Sequence, residues 1–251
     1  MSTASVLLGT ERSSAAPTYT LLLSTDQSLV EQAQRLRYDV FASEPGYELT
    51  STSDADRFDE FCDHLLVRED SSGELVGCYR MLPPPGAIAS GGLYTATEFD
   101  ISALDELRPS LVEMGRAVVR ADHRNGAVVL LMWAGILAYL DRCDYDYVTG
   151  CVSVPLAQSR GVRDFVLRRY PSPYRVKPYR PAPLDGAAQA RAEIPPLMRG
   201  YLRLGARVCG EPAHDPDFGV ADFMALLDKR QADTRYLKRL RSVAAAAEAV
   251  R

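Results

Sequence analysis

Two charged residues interrupt an otherwise apolar run, Leu111-Val112-Glu113-Met114-Gly115-Arg116-Ala117-Val118-Val119. A carboxylate drawn out of water rises in pKa and can take a proton near neutral pH. A guanidinium can hold a carboxylate or phosphate through two parallel N–H bonds. Glu113 and Arg116 are therefore the first candidates for chemistry. The competing reading is a strand carboxylate paired with Arg80 or Arg116 for structure alone, since ion-pair networks also perturb pKa. Just beyond lies a charged hinge, Arg120-Ala121-Asp122-His123-Arg124-Asn125-Gly126, and then an almost wholly apolar helix. A helix start offers unpaired N–H groups and positive dipole to a phosphate. Gly126 allows close approach to the backbone, and Arg120 and Arg124 add charge. The bland alternative is an exposed turn with solvated arginines.

Residues three apart on a regular strand face opposite sides of a sheet. Glu113 and Arg116 can share one cleft only if the strand is irregular. Gly115 lies between them, and an interior glycine often marks a bulge. A bulge at Met114–Arg116 would re-aim both side chains and free a backbone N–H to hold an oxyanion.

The elements that must carry these residues follow from periodicity. Tyr19–Leu23 reads as a strand and Ser24-Thr25-Asp26 as the cap of a helix carrying Leu29, Ala33, Leu36, Val40 and Phe41 at helical spacing. Residues 45–59 have no period and read as a mobile loop. Cys62–Arg68 and Glu74–Leu82 form a hairpin around Asp70-Ser71-Ser72-Gly73. Pro83-Pro84-Pro85-Gly86 reads as a loop exit, Ser102–Arg108 as a short helix, Ser110–Val119 as a strand and Gly126–Arg142 as the central helix. Strand Asp146–Val152, helix Pro155–Arg169, an extended proline-rich stretch Tyr170–Pro183, helix Leu197–Val208, strand Gly219–Leu227 and helix Thr234–Val250 complete the order. Such mixing without a long linker implies one α/β domain over residues 18–251, preceded by a frayed, flexible N-terminus over residues 1–17.

The chain has 251 residues and a net charge of −4, which gives no general attraction to nucleic acid. Its five cysteines form no CxxC pair and show no zinc spacing, so no metal site is expected. An odd cysteine count without a signal peptide fits free thiols in the cytoplasm. The longest apolar run, Ala127–Leu140, is too short for a membrane span and reads as a core helix. Neither a GxSxG elbow nor a GxxxxGK loop is present. Arg160, Arg163, Arg168, Arg169, Arg175, Lys177 and Arg180 crowd one stretch against Asp164 alone, and the C-terminal helix is basic as well.

Five segments in order, RLRYDVF, FDEFCDHLLV, GCYRMLPP, VEMGRAVV and PPLMRGYLRLGA, resemble the ornithine-acyl carrier protein N-acyltransferases, the makers of lyso-ornithine lipid. These belong to the GNAT superfamily and are cousins of the acyl-homoserine-lactone synthases. The resemblance runs from about Leu36 to Leu227. It implies a GNAT-like mixed, mostly antiparallel sheet with a bulged central strand and helices on both faces. The functional pattern of the lactone synthases falls here on Arg37 with Phe41, Asp59 with Asp63, Arg80, and Glu113 with Arg116. In this resemblance Glu113 is the base, Arg37 or Arg116 clamps the acceptor carboxylate, and Asp59 and Asp63 hold a side-chain ammonium. Arg120, Arg124, Asn125 and Gly126 receive the pantetheine phosphate; the segment from Arg124 to Ala127 is a shortened form of the GNAT signature.

The lactone synthases carry a tryptophan in the mobile loop, whereas the only tryptophan here is Trp133, in the central helix; set against that family, this implies an amino acid acceptor rather than adenosylmethionine. The implied reaction is transfer of a 3-hydroxyacyl group from the phosphopantetheine thioester of acyl carrier protein to the α-amine of ornithine, with no bound cofactor. The acidic carrier is the expected protein partner of the basic stretch. Peripheral membrane contact through the C-terminal helix is the further expectation. The alternatives are a lactone synthase or acyl-CoA-dependent N-acyltransferase and, from another class, a non-catalytic acyl-carrier or lipid-binding module.

Overall fold

The computed structural model describes residues 4–9, 17–44, 53–184 and 193–249. In chain order its elements are β1 (Ala4–Gly9), β2 (Tyr19–Ser24), α1 (Gln27–Ala42), β3 (Asp63–Glu69), β4 (Leu75–Leu82), α2 (Pro84–Ala89), β5 (Phe99–Asp100), β6 (Leu111–Val119), α3 (Gly126–Cys143), β7 (Tyr147–Pro155), α4 (Leu156–Arg169), β8 (Lys177–Pro178), α5 (Pro196–Leu204), β9 (Arg207–Val208), β10 (Ala213–Asp215), β11 (Val220–Asp228) and α6 (Thr234–Ala249). Contacts divide the chain into two compact units. The first holds residues 1–90, 114–145 and 234–251, and the second 91–113 and 146–233.

In the first unit β1, β2, β3 and β4 pair antiparallel in sequence order, and β6 follows β4. Alternation along the strands sorts their side chains onto two faces. Leu22, Leu66 and Cys78 share one face and pack with Ala33, Leu36 and Val40 of α1. Leu21 and Leu65 point the other way, where Gly135 of α3 lets the helix come close. A Cβ on Gly135 would lie 2.2 Å from Leu21. Helices thus cover both faces of this half, as the sequence implies. Each buried leucine contributes on the order of 1.5–3 kcal/mol. The α3 side chains from Leu131 to Leu137 are all buried, in keeping with a core helix.

In the second unit β7 pairs antiparallel with β11, which also pairs with β9 and β10. The opening residues of β6 pair with β7 in parallel, from Leu111↔Tyr147 to Glu113↔Thr149. Val152 and Val154 of β7, with Ala221, Phe223 and Ala225 of β11, bury one face against Val162 and Val166 of α4 and Met198 and Leu202 of α5. A separate short pair joins β5 to β8.

Several elements depart from the sequence reading. Residues 4–9 form β1 rather than a frayed end, because Leu7 and Leu8 are buried and the strand pairs with β2. Pro84 and Pro85 do not simply break the chain; they open α2, where a missing N–H costs nothing. Helix α5 stops at Leu204, four residues short of expectation, because Gly205 turns left-handed at φ 109° and Arg207–Val208 joins β11. The expected mobile loop, 45–59, lies outside the described residues up to 52; beyond that it is held by the ion pairs described next.

Candidate functional site

Helix α1 is capped by Asp26, whose side chain accepts from the amides of Ser28 and Leu29. This fixes the helix so that Arg37 faces inward, 1% exposed. Arg37 holds Asp59 with both terminal nitrogens at 2.8 Å and Asp54 through Nε at 2.8 Å. Arg80 on β4 meets Asp56 at 2.5 Å and Asp59 at 3.1 Å. Arg116 on β6 reaches Asp54 at 3.1 Å and Asp56 at 3.4 Å. Three guanidiniums therefore alternate with three carboxylates. Burial alone would raise the Asp59 carboxyl, but the hydrogen bonds and charge of Arg37, joined by Arg80, outweigh it. The group is held well below the ordinary carboxylate range. His64 faces the same cluster, its Nε2 2.9 Å from the Asp59 carbonyl. Burial holds its pKa below the ordinary value.

The structure brings Arg37, Asp59, Arg80 and Arg116 together and leaves Asp63 out. Asp63 lies on β3 one residue from His64, so it points to the opposite face of the sheet. There it accepts from the Tyr139 hydroxyl of α3 at 2.6 Å. Asp59 and Asp63 thus do not make a pair. Phe41 is part-buried against the apolar cluster under α1.

Strand β6 is irregular where the sequence places the irregularity, but not at the glycine. Arg116 itself takes the left-handed conformation, φ 54°, uncommon for a residue with a Cβ. The described parallel ladder with β7 extends to Glu113. Glu113 is 5% exposed, and its carboxylate accepts the Tyr94 amide at 2.5 Å and the Thr95 amide at 2.8 Å. It anchors the short 3₁₀ turn Tyr94–Thr97.

At the hinge, Arg120 pairs with Glu74 at 2.7 Å and Asp122 at 2.8 Å, and Arg124 with Glu44 at 2.7 Å. Asn125 caps α3, accepting from the amides of Ala127 and Val128. Those are two of the groups a phosphate would otherwise use. Its Nδ2 donates to the Tyr19 hydroxyl, which also bonds buried His123 at 3.0 Å. Space around the Gly126 Cα is open.

Sequence reading missed a second constellation. Glu98, Cys151 of β7 and Asp222 of β11 bring one ligand atom each to within 4.8 Å of one another. Such a mixed carboxylate–thiol set could hold a cation. Burial, then the charge of Asp222, pushes the Glu98 carboxyl up to about 8. Burial and the same carboxylates push the Cys151 thiol up, keeping it protonated. Glu98 also lines a cleft of about 380 Å³ with Tyr94, Tyr179, Arg180, His214 and Asp217. No local motif marks this group, because register pairing across β7 and β11 assembles it.

Residues 36–134 match the acetyltransferase (GNAT) domain. The structure resembles FeeM, an N-acyl amino acid synthase from uncultured soil microbes, with a TM-score of 0.54 at 12% identity over 87% of this chain and 94% of that one. It also resembles the AHL synthase LasI, with a TM-score of 0.51 at 14% identity over 96% and 95%. Mixed sheet, interrupted central strand and matched domain together define an acyltransferase of the GNAT class. The chain is 33% identical to the L-ornithine N(alpha)-acyltransferase of Brucella abortus (strain 2308) over 86% of both chains. It is 32% identical to the one of Rhizobium meliloti (strain 1021) over 86% of this chain and 81% of that one. It belongs to the L-ornithine N(alpha)-acyltransferase family.

Proposed function

We propose that this acyltransferase moves a 3-hydroxyfatty acyl group from the phosphopantetheine thioester of acyl carrier protein to the α-amine of L-ornithine, the first step of ornithine lipid synthesis. The observation that carries the reading is agreement of four relatives bearing one name at 29–33% identity along most of their length. The reaction is attack of a free amine on a thioester carbonyl. It needs a proton acceptor, a donor for the oxyanion and a leaving thiolate.

Residue roles follow the same reading. The break at Arg116 would present a backbone N–H to the oxyanion. Arg37, Arg80 and Asp59 would fix the wall of the acyl site rather than clamp substrate, since each is already charge-matched. Phe41 and Asp63 would support that wall through packing and through Tyr139. Glu113 would orient the Tyr94–Thr97 turn instead of serving as the base, since two main-chain amides occupy its oxygens. Arg120 and Arg124 would take the pantetheine phosphate beside Gly126. Their present ion pairs lie at the surface, where such pairs are weak, so exchanging them for a phosphate costs little.

Exposed Arg168, Arg169, Arg175 and Lys177 form a basic surface suited to an acidic carrier protein. Exposed Lys238 and Arg239 on α6 suit contact with an anionic membrane surface from the cytoplasmic side. One acyltransferase domain over residues 18–251 is part of this proposal; the chain's repeated passage between the two units supports it.

Lipid mass spectrometry after expression in a host lacking ornithine lipids tests the reading. Lyso-ornithine lipid is the expected product, and its absence with soluble protein present would overturn it. In purified enzyme, Glu113→Gln and Arg116→Ala should each lower transfer at least tenfold while the fold survives. Wild-type rates in both would remove these site roles.

A further inference from the structure

His123 is the buried titratable side chain of the hinge, 7% exposed among exposed neighbours. It ends the 3₁₀ turn Ala121–His123 between β6 and α3, and it and the partners named below all belong to the first unit. The main chain ties it on both sides. Its amide donates to the Arg120 carbonyl at 2.9 Å, and its carbonyl accepts the Asn125 amide at 2.7 Å. Its ring packs edge-on against Tyr19 of β2, which is 1% exposed, with centroids 5.8 Å apart.

The two ring nitrogens have different partners, and these fix the tautomer. A guanidinium only donates, so Arg120 Nη2, at 2.8 Å, donates to Nε2. An accepting Nε2 leaves the ring proton on Nδ1, which donates to the Tyr19 hydroxyl oxygen at 3.0 Å. That oxygen also accepts from Asn125 Nδ2 at 3.1 Å. One imidazole therefore joins the Arg120 guanidinium to the cap of α3. Arg120 is held at each of its nitrogens, Nε by Asp122, Nη1 by Glu74 and Nη2 by His123. Asp122 and Glu74 are exposed, so the buried imidazole is the fixed point. Each terminal nitrogen carries a second N–H for a phosphate oxygen. Asn125 meanwhile covers the Ala127 and Val128 amides, so side chains rather than those amides face an incoming phosphate.

We propose that His123 is a positioning residue of the donor-phosphate seat. Through Nε2 it aims the Arg120 guanidinium, and through Nδ1 and Tyr19 it keeps the Asn125 cap on α3. The assignment rests on the reading of Arg120 and Arg124 as the partners of the pantetheine phosphate. A long side chain loses rotamer freedom when it grips a ligand, and a guanidinium already held by a buried acceptor has less to lose. When a phosphate displaces the exposed carboxylates of Glu74 and Asp122, the imidazole stays in place. The gain falls on binding the phosphate and not on the thioester chemistry. It is therefore read in the KM for the donor and not in kcat.

Two substitutions separate the arms of the ring. His123→Asn puts an amide N–H where Nδ1 stood, keeping the bond to Tyr19, and leaves Arg120 without its acceptor. His123→Gln can put its carbonyl oxygen where Nε2 stood and accept from Arg120. A role in the fold alone would move every donor alike and follow the melting temperature; a role in positioning follows the Arg120 arm.

The test compares 3-hydroxyacyl phosphopantetheine with 3-hydroxyacyl pantetheine, which lacks the phosphate, as donors to ornithine. Wild type should favour the phosphorylated donor by about tenfold or more in kcat/KM, and Arg120→Gln should abolish that preference. His123→Asn should raise the KM for the phosphorylated donor about tenfold, with kcat and the use of the pantetheine donor little changed. His123→Gln should keep most of the preference. Tyr19→Phe, which removes the acceptor of Nδ1, should raise the same KM about threefold and serves should His123→Asn fail to fold. The wild-type preference in His123→Asn, or in Tyr19→Phe where His123→Asn is unfolded, would overturn the role of His123 and leave the phosphate seat standing. A preference unchanged in Arg120→Gln, or none in wild type, would overturn the seat and this inference together.

Discussion

At the residue scale, the buried alternation of Arg37, Asp59 and Arg80 makes the largest claim on stability. Removing one partner of such a pair leaves an uncompensated buried charge and costs about 3–5 kcal/mol. Asp59→Asn should therefore lower neutral-pH stability by roughly 3 kcal/mol in denaturant unfolding. The sign with pH is fixed by direction. A depressed carboxyl contributes stability above its unfolded pKa, and that stability is lost as pH falls through its folded pKa. Wild type should lose stability steeply below about pH 4, and the variant less so. Equal slopes would deny Asp59 its place in the network. The sequence singled out these residues by type, through the spacing that they share with the lactone synthases. It did not separate Asp59 from Asp63, because the boundary between a 3₁₀ turn and β3 falls between them and decides the faces.

At the element scale, the β3–β4 hairpin was legible in Asp70–Gly73, and Gly73 adopts φ 76° there. Helix α3 was legible in its apolar run. Helix α2 was not, because prolines at a helix start and prolines in a loop look alike in one dimension. Strand β1 was hidden by its Ser/Ala surroundings; its assignment depends on pairing with β2, a tertiary fact. Within α2, Gly86 sits so close to the turn before β3 that a Cβ would lie 2.2 Å from the Phe61 carbonyl oxygen. Backbone must move to admit it. Gly86→Ala should cost about 1–3 kcal/mol as overpacking. A melting temperature within one degree of wild type would show that α2 shifts freely.

At the scale of the whole molecule, net charge is −4, yet the stretch from Arg168 to Lys177 carries exposed cations. Charge there acts on encounter with a partner more than on fold. Arg168→Glu with Arg169→Glu should lower kcat/KM for the acyl carrier protein at least tenfold at low salt and leave the melting temperature within about two degrees. The deficit should shrink at high salt, where the Debye length falls to about 3 Å at 1 M. A loss independent of salt would place these arginines in the fold instead. Glu98 belongs to this scale as a matter of legibility. Its partners Cys151 and Asp222 are 53 and 124 positions away, and only the β7–β11 register joins them.

The central claim is acyl transfer to ornithine. Purified protein is incubated with a 3-hydroxyacyl carrier protein and with ornithine, lysine or no amino acid, while free carrier thiol and N-acylated product are followed by mass spectrometry. The expected result is equimolar thiol and Nα-acyl-ornithine, with thiol release dependent on the amino acid. Thiol release at the same rate without an amino acid, or intact thioester with folded protein and ornithine present, would contradict it.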